Sequence, residues 1–337
     1  MTVYYADFDL ATGDNDGTSW ANAWRTLQRA HDGTGGTQPA AGDVVLCKGT
    51  DTLAGTVTFT IDGSAASGYI KFIGVAASYS GSDPVAGNTG GTDRAVIDAN
   101  NGSFSCLTFN AAGFMWIENF EIHNTSEASG KNGIDWVTAA SDYDVFVNCI
   151  VHNTYVGVAC NAYSRYLTFI KCSAYENASH GFASRSSRLR FCRSYSNTGD
   201  GINSISDDIM GCIVHDNSDE GIYAYGSALN QCVAYGNTND GIDLSNAALS
   251  GLVLACRSTN NGTGINVSST AYRGLLFYFY GDNTTETAGN YDEILNDGAS
   301  TVTLNGGDTN EGFVSPSTDD YNLAPGATYF STAVMIP

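Results

Sequence analysis

Residues 189–202 read Leu189-Arg190-Phe191-Cys192-Arg193-Ser194-Tyr195-Ser196-Asn197-Thr198-Gly199-Asp200-Gly201-Ile202. Residues 209–222 repeat the same frame: Ile209-Met210-Gly211-Cys212-Ile213-Val214-His215-Asp216-Asn217-Ser218-Asp219-Glu220-Gly221-Ile222. The frame extends outward in both directions. Cysteines fall at Cys149, Cys172, Cys192, Cys212, Cys232 and Cys256, at spacings of 23, 20, 20, 20 and 24. Three residues before each stands an apolar side chain: Phe146, Phe169, Leu189, Ile209, Leu229 and Val253. An asparagine follows five residues after the last five cysteines, at Asn177, Asn197, Asn217, Asn237 and Asn261. A glycine before an apolar residue completes each unit, from Gly157-Val158 to Gly264-Ile265. Four marks recurring in phase predict a solenoid of roughly 20 residues per turn.

A unit of that length cannot hold two helices and their turns. Its short apolar pieces, separated by Gly, Asn, Ser and Asp, read as brief strands joined by turns. Stacked coils would pair each strand in parallel with its copy about 4.8 Å away, so equivalent side chains form columns. Apolar residues and cysteines would fill the interior, and the asparagines would bond backbone at turns. The spacing from Leu189 to Asn197 also fits the start of a leucine-rich repeat. That repeat wants leucine at the next two apolar slots and a helical stripe, and the chain supplies neither. A parallel β-helix is the expected fold.

Length alone would allow two domains, but repeat folds grow as one unit, so 1–337 is read as a single domain. Within it, 1–42 is an N-terminal strand, loop and capping helix, 43–280 the coils, and 281–337 further coils and an irregular cap. The expected helix starts at Ser19, with Trp20, Trp24, Leu27 and His31 on one face. Phe120 takes the cysteine's place in an early repeat. Residues 76–93 form a polar loop, and the tail from Phe330 to Ile336 is expected to cover the far end. Asp14-Asn15-Asp16-Gly17 reads as a turn, because no glutamate closes a calcium loop.

Fourteen basic residues against 35 acidic ones give a net charge of -21. Nucleic acid and anionic membranes, which need clustered Lys and Arg, are therefore not expected partners. No stretch is long and apolar enough to predict a membrane-spanning helix. The first residues show neither a basic region nor an apolar run. With nine cysteines, six in one column, this leads to an expectation of synthesis in a reducing cytosol.

The repeats, with Tyr4-Tyr5-Ala6-Asp7, Asp14-Asn15-Asp16-Gly17-Thr18-Ser19, Gly42-Asp43 and Asp320-Tyr321-Asn322-Leu323-Ala324-Pro325-Gly326, resemble the right-handed β-helix superfamily that includes pectate lyases and phage tailspikes. The resemblance implies an all-β, right-handed, single-stranded parallel β-helix. It covers nearly the whole chain and speaks for fold, since the superfamily hosts lyases, hydrolases, epimerases and inert virion proteins.

Two clusters could carry chemistry. His180, Asp200, Glu220 and Asp240 each precede the repeated glycine and should stack as a column, with Asp216, Asp219 and Asp243 close in sequence. Carboxylates that near must take up protons or share a cation. Asp200, Glu220 and Asp240 are the candidate ligands, and calcium is the candidate ion; no cofactor is required by the fold. Five of the ten arginines, Arg165, Arg185, Arg188, Arg190 and Arg193, fall within 29 residues, near Lys171. Lys171, Arg185 and Arg188 are the candidate carbohydrate contacts. In an enzyme, His180, Arg185, Asp200 and Asp208 would be the acting residues, cutting acidic glycans by elimination or by paired-carboxylate hydrolysis. Asn197-Thr198-Gly199-Asp200 and Asp207-Asp208 are similar to the first two elements of polygalacturonan hydrolases, but the later ones are missing. The arginine motif of pectate lyases and the Asp-Pro-His-Asp motif of alginate epimerases are missing too. His123, His152 and His215 share a repeat position with Tyr175, Tyr195 and Tyr235, which reads as a half-buried ladder.

The leading expectation is a non-enzymatic phage virion protein, a decoration or appendage subunit made without a signal peptide. Its partners would be other virion proteins or itself as a trimer, and its wall would hold polysaccharide. The alternatives are a lyase or hydrolase acting on acidic glycans, and a secreted surface protein.

Overall fold

The computed structural model describes residues 1–33, 37–84, 94–137, 142–160, 166–244, 252–254 and 256–267, with short strands at 294–296, 313–315 and 320–323. Arg165, the polar loop beyond residue 84, the apolar run at 275–280 and the tail after 323 lie outside the described residues.

One coil shows how the sequence makes the fold. Arg188–Arg190 forms a strand of a first sheet, Arg193–Tyr195 of a second, and Ile202–Ile205 of a third; Asp208–Met210 then returns to the first sheet one turn on. The three sheets hold ten, nine and ten strands, and neighbours pair in parallel. Register equals the repeat: Leu189 pairs with Ile209 and Ile209 with Leu229. Three strands per coil, not one, rule out the leucine-rich alternative. The last described strand of the third sheet, Ile294–Asn296, pairs with 265–267, and Phe313–Ser315 meets Asp320–Leu323 in a separate antiparallel pair.

Inward positions close the core. Phe59, Phe109 and Trp136 stack with centroids 4.8 and 5.0 Å apart, and Phe146 stacks on Phe169 at 5.4 Å. Toward the C-terminus the same interior narrows to Leu189, Ile209, Leu229 and Val253. Phe120 is buried one rung before Cys149, as its place in the frame predicts. All nine cysteines are free thiols, and the column cysteines point at carbonyls of the preceding coil, as from Cys192 Sγ to Phe169 O at 3.4 Å. Burial pushes the thiols of Cys47 and Cys192 well above their usual range.

The asparagines form a continuous ladder. The amide of Asn177 donates to Asn197 Oδ1 at 2.8 Å, Asn197 to Asn217 at 2.9 Å, Asn217 to Asn237 at 2.9 Å, and Asn237 to Asn261 at 2.8 Å. Each Oδ1 also accepts the backbone N–H of the asparagine before it, at 2.9–3.2 Å. Thr154 starts the ladder through its hydroxyl, 2.8 Å from Asn177 Oδ1. A turn that would bury unpaired N–H groups is thereby satisfied coil by coil.

The corner between the third and first sheets is polar inside. Asp144 accepts from the N–H of Met115 and from Trp136 Nε1, and Asp207 from the N–H of Ser187 and the hydroxyl of Ser184. Burial pushes the Asp144 carboxyl up to about 8 and the Asp207 carboxyl up to about 7, against the hydrogen bonds that favour their charged forms.

The cap corrects one expectation. The single amphipathic helix is two pieces, a 3-10 turn at Trp20–Asn22 and an α-helix at Leu27–Asp32. Trp24 breaks them apart because its backbone is drawn into a bridge with Ala6 of the first strand. Thr26 caps the α-helix by accepting from the N–H of Arg29 at 3.2 Å, seven residues beyond the expected start at Ser19. The face itself holds: Trp24, Leu27 and His31 are buried. His31 Nε2 accepts from the N–H of Thr60 and Ile61, at 3.0 and 3.2 Å, tying the cap to the first coil.

Asn217→Ala removes the acceptor for the buried N–H of Asn197 and should lower stability by about 2–4 kcal/mol in urea unfolding. A loss of a few tenths would mean that the ladder is incidental. For Asp144 and Asp207 the folded pKa lies above the unfolded one. Their stabilising effect is therefore full below the usual carboxylate range and is lost as pH rises through about 7–8. Melting temperature should fall between about pH 5 and about pH 9, and the double variant Asp144→Asn, Asp207→Asn should flatten that fall.

Candidate cation site at the entry to the third sheet

The turn that enters the third sheet ends in glycine because the asparagine ladder lies against it. A Cβ on Gly201 would meet Asn217 Nδ2 at 2.7 Å and the carbonyl of Gly221 at 2.8 Å. The residue before each glycine is therefore set by backbone pairing: Gly201 N–H donates to Glu220 O at 3.0 Å, and Gly221 N–H to Asp240 O at 2.8 Å. His180, Asp200, Glu220 and Asp240 thus occupy one column, as expected from the repeat.

The carboxylates gather in two sets that share Glu220. Asp200, Asp219 and Glu220 form one, and Glu220, Asp240 and Asp243 the other; within each, one oxygen per side chain lies within 4.8 Å of the rest. Asp200 and Asp243 are buried and the remainder half-buried. Asp200 Oδ2 accepts from Asn203 Nδ2 at 2.7 Å, and Asp219 Oδ1 from Asn239 Nδ2 at 2.6 Å. His180 Nδ1 accepts the N–H of Asp200 at 3.0 Å and stands 3.3 Å from Asp200 Oδ2. Burial, then hydrogen bonds with Asp200 and Asp219 and the charge of Asp200, push the Glu220 carboxyl up to about 9. Like charges this close need a proton or a cation between them. All-oxygen ligands from carboxylates and amides suit a hard ion such as calcium.

Of the expected metal ligands, Asp200, Glu220 and Asp240 are brought together. Asp219 and Asp243, adjacent in sequence, complete the sets; Asn203 and Asn239 were not foreseen. Asp216 is elsewhere, beside His215 Nδ1 at 2.8 Å. The acting set proposed for an enzyme does not assemble whole. His180 and Asp200 touch, but Asp208 lies on the first sheet in a bidentate pair with Arg190. The basic cluster is spread round the coil, with Arg185 on the third sheet, Arg188 and Arg190 on the first, Arg193 on the second and Lys171 at the turn between the first and second. Arg188 and Arg185 flank one corner; Lys171 does not join them.

The second sheet carries the expected ring ladder on its outer face. His123, His152, Tyr175, Tyr195, His215 and Tyr235 stack in sequence with centroids 4.7–5.0 Å apart. Ring faces inside the stack are covered by neighbours, so Tyr175 and Tyr195 cannot lay a face on a sugar; Tyr235 ends the stack, next to Thr259. Glu121, His123 and His152 also bring ligand atoms within 4.8 Å. The two imidazoles are stacked at 20°, however, and lone pairs in near-parallel planes do not converge on one ion. His152 Nε2 instead meets Glu121 Oε1 at 3.2 Å.

Comparison with known proteins places the fold. Residues 90–231 match the family described as "Right handed beta helix region". No curated protein matches the sequence. Among solved structures, pectate lyase Pel9A is similar over 100% of this chain and 91% of its own, at 18% identity and a TM-score of 0.65. The Azotobacter vinelandii mannuronan C-5 epimerase AlgE4 A-module is similar over 82% of this chain and 76% of its own, at 16% identity and a TM-score of 0.55. The enzymatically active domain of bacteriophage CBA120 tailspike protein 2 is similar over 83% of this chain and 43% of its own, at 12% identity and a TM-score of 0.55. The coil register, the family match over residues 90–231 and these shared folds agree: the chain folds as a right-handed parallel β-helix, a fold it shares with a pectate lyase and a phage tailspike domain.

Proposed function

We propose that the entry to the third sheet binds a divalent cation, calcium by its ligands, and that the adjoining wall takes an acidic polysaccharide and cleaves it by β-elimination. The observation that carries this is the pair of carboxylate sets sharing Glu220. Asp200, Asp219, Glu220, Asp240 and Asp243 would hold the ion, which when bound neutralises the carboxylate of a uronate. Asn203 and Asn239 orient Asp200 and Asp219 and keep their charged forms hydrogen-bonded. Tyr223 lies in register between Asn203 and Asp243 on the outer face, where it can take the proton from the carbon beside the uronate carboxylate. The ionised phenol oxygen bonds that proton, the C–H electron pair becomes the ring double bond, and the glycosidic oxygen leaves with the proton returned by Tyr223, so an unsaturated sugar remains at the new end. Similarity to a pectate lyase over the whole chain, and to a mannuronan epimerase over most of it, supports uronate polymers as the substrate class.

The second reading is a phage appendage subunit, in contact with itself or other virion proteins, that holds the same glycan without cutting it. The likeness to a tailspike over 83% of the chain favours it. One experiment separates the two. The protein is incubated with polygalacturonate and with alginate, with calcium or with chelator, while absorbance of unsaturated products and melting temperature are followed. Calcium should raise the melting temperature, Glu220→Gln and Asp243→Asn should abolish that rise, and Tyr223→Phe should cut product formation about 100-fold without changing the rise. A melting temperature indifferent to calcium would overturn the cation site. A calcium response with binding but no product would favour the appendage.

A further inference from the structure

At the corner from the third sheet into the first, one residue of each connection stands one or two places ahead of the first-sheet strand. The register of the first sheet aligns these residues as Tyr69, Phe114, Tyr143, Tyr166, Ser186, Ser206 and Gly226. From Phe114 onward each has a positive φ, of 54°, 66°, 61°, 51°, 58° and 67°. A left-handed backbone is cheap for Gly226 but unfavourable for bulky aromatic residues. Three consecutive coils nevertheless carry one. Phe114 and Tyr143 stack at 5.0 Å and Tyr143 and Tyr166 at 4.9 Å, at 20° and 13°. Tyr143 and Tyr166 are 42% and 48% exposed, among the few large apolar side chains left to solvent. The corner thus keeps aromatic rings in the open at positions where stability alone favours glycine.

The strip ends in a step. Ser186 follows Tyr166 in the column and has no ring, so among the described residues no further aromatic stacks on the outer face of Tyr166. Two arginines frame that face. Arg185 ends the third-sheet strand just before Ser186, and Arg188 opens the first-sheet strand two residues after it, exposed and in register with Thr168. Neither forms an ion pair with a described carboxylate: Asp208, the register partner of Arg188, is taken by Arg190. An exposed aromatic ring beside two guanidiniums that form no ion pair with a described carboxylate, in a chain of net charge -21, matches a sugar ring that carries a carboxylate. The ring's C–H face packs on the phenol, and guanidinium groups meet a carboxylate in bidentate fashion.

We infer that this corner is a subsite for one acidic sugar unit, with Tyr166 as the platform and Arg185 and Arg188 as the carboxylate contacts. The ligand class rests on the acidic-polysaccharide reading, but none of the carboxylate sets takes part. The corner lies across the four-residue width of the third sheet from the cation column, about 13 Å along the strand direction, and Tyr166 stands three coils, about 14 Å, before Glu220. A polymer laid across the sheet could engage both ends, and the corner would bind without metal.

The test measures binding of short oligogalacturonates and oligomannuronates, and of their methyl esters, in the presence of chelator. Wild-type protein should bind an acidic oligomer and bind its ester at least tenfold more weakly. Tyr166→Gly should lose at least tenfold in affinity while its melting temperature holds or rises, because glycine relieves the backbone. Arg188→Gln should lose affinity for the acid and not for the ester. Glu220→Gln should bind as wild type under chelator, which separates this subsite from the cation site. Equal affinity of wild type, Tyr166→Gly and Arg188→Gln would overturn the inference, as would no binding by wild type in chelator. A fall in melting temperature for Tyr166→Gly with unchanged affinity would make the strip a structural element and overturn it too.

Discussion

The asparagine ladder is the constraint on which the coil geometry depends. A buried turn between the second and third sheets has N–H groups that water cannot reach, and each asparagine amide satisfies its own coil and the next. The amide has the right reach only if successive coils stay in register, so one hydrogen-bond pattern fixes how the turns stack, over coils of 20 or 24 residues alike. The glycine that follows is a consequence, because no Cβ fits beside the amide of the next rung. The residue before that glycine is then held by backbone pairing alone, and its side chain is left to carry charge. Structure and candidate chemistry share a single origin at this turn.

The fold was legible because ladders demand the same residue at the same place in every coil. Cysteine, leucine-like, asparagine and glycine columns all appear in the sequence as one period, and the parallel register follows it. The carboxylate column was legible for the same reason. The basic cluster was not, since a coil of 20 residues passes three walls: Arg185, Arg188 and Arg193 are neighbours along the chain and stand on three different sheets. The cap was half legible. Burial of Trp24, Leu27 and His31 follows from their spacing, but the break at Trp24 depends on Ala6, which no local pattern reports. The corner aromatics were missed because the sign of φ leaves no trace in the hydrophobic pattern; lining up Tyr143 and Tyr166 with Ser186, Ser206 and Gly226 would have flagged them.

The three outer surfaces differ in what they can offer a ligand. The second sheet's rings cover one another and present edges, so that wall is a stiff spine. The entry to the third sheet concentrates negative charge at half-buried oxygens, and the opposite corner presents an aromatic face with positive charge. Opposite signs at the two margins of one sheet suit an extended anionic chain that meets a bridging ion on one side and guanidinium on the other.

Coils between Phe169 and Val253 are nearly interchangeable in length, and this has a bearing on how such a chain can change over generations. A deletion or duplication of one whole unit leaves every ladder intact, with an amide still meeting an amide and a thiol still meeting a carbonyl. A gain or loss inside a strand or a ladder turn shifts all columns downstream at once, whereas a loop absorbs it, as in the 24-residue coil that still joins Asn237 to Asn261. The number of rungs in this region can therefore drift only in steps of one coil, while loops outside the ladders vary freely. The rod can grow or shorten between the aromatic cap end and the acidic rungs without either being rebuilt.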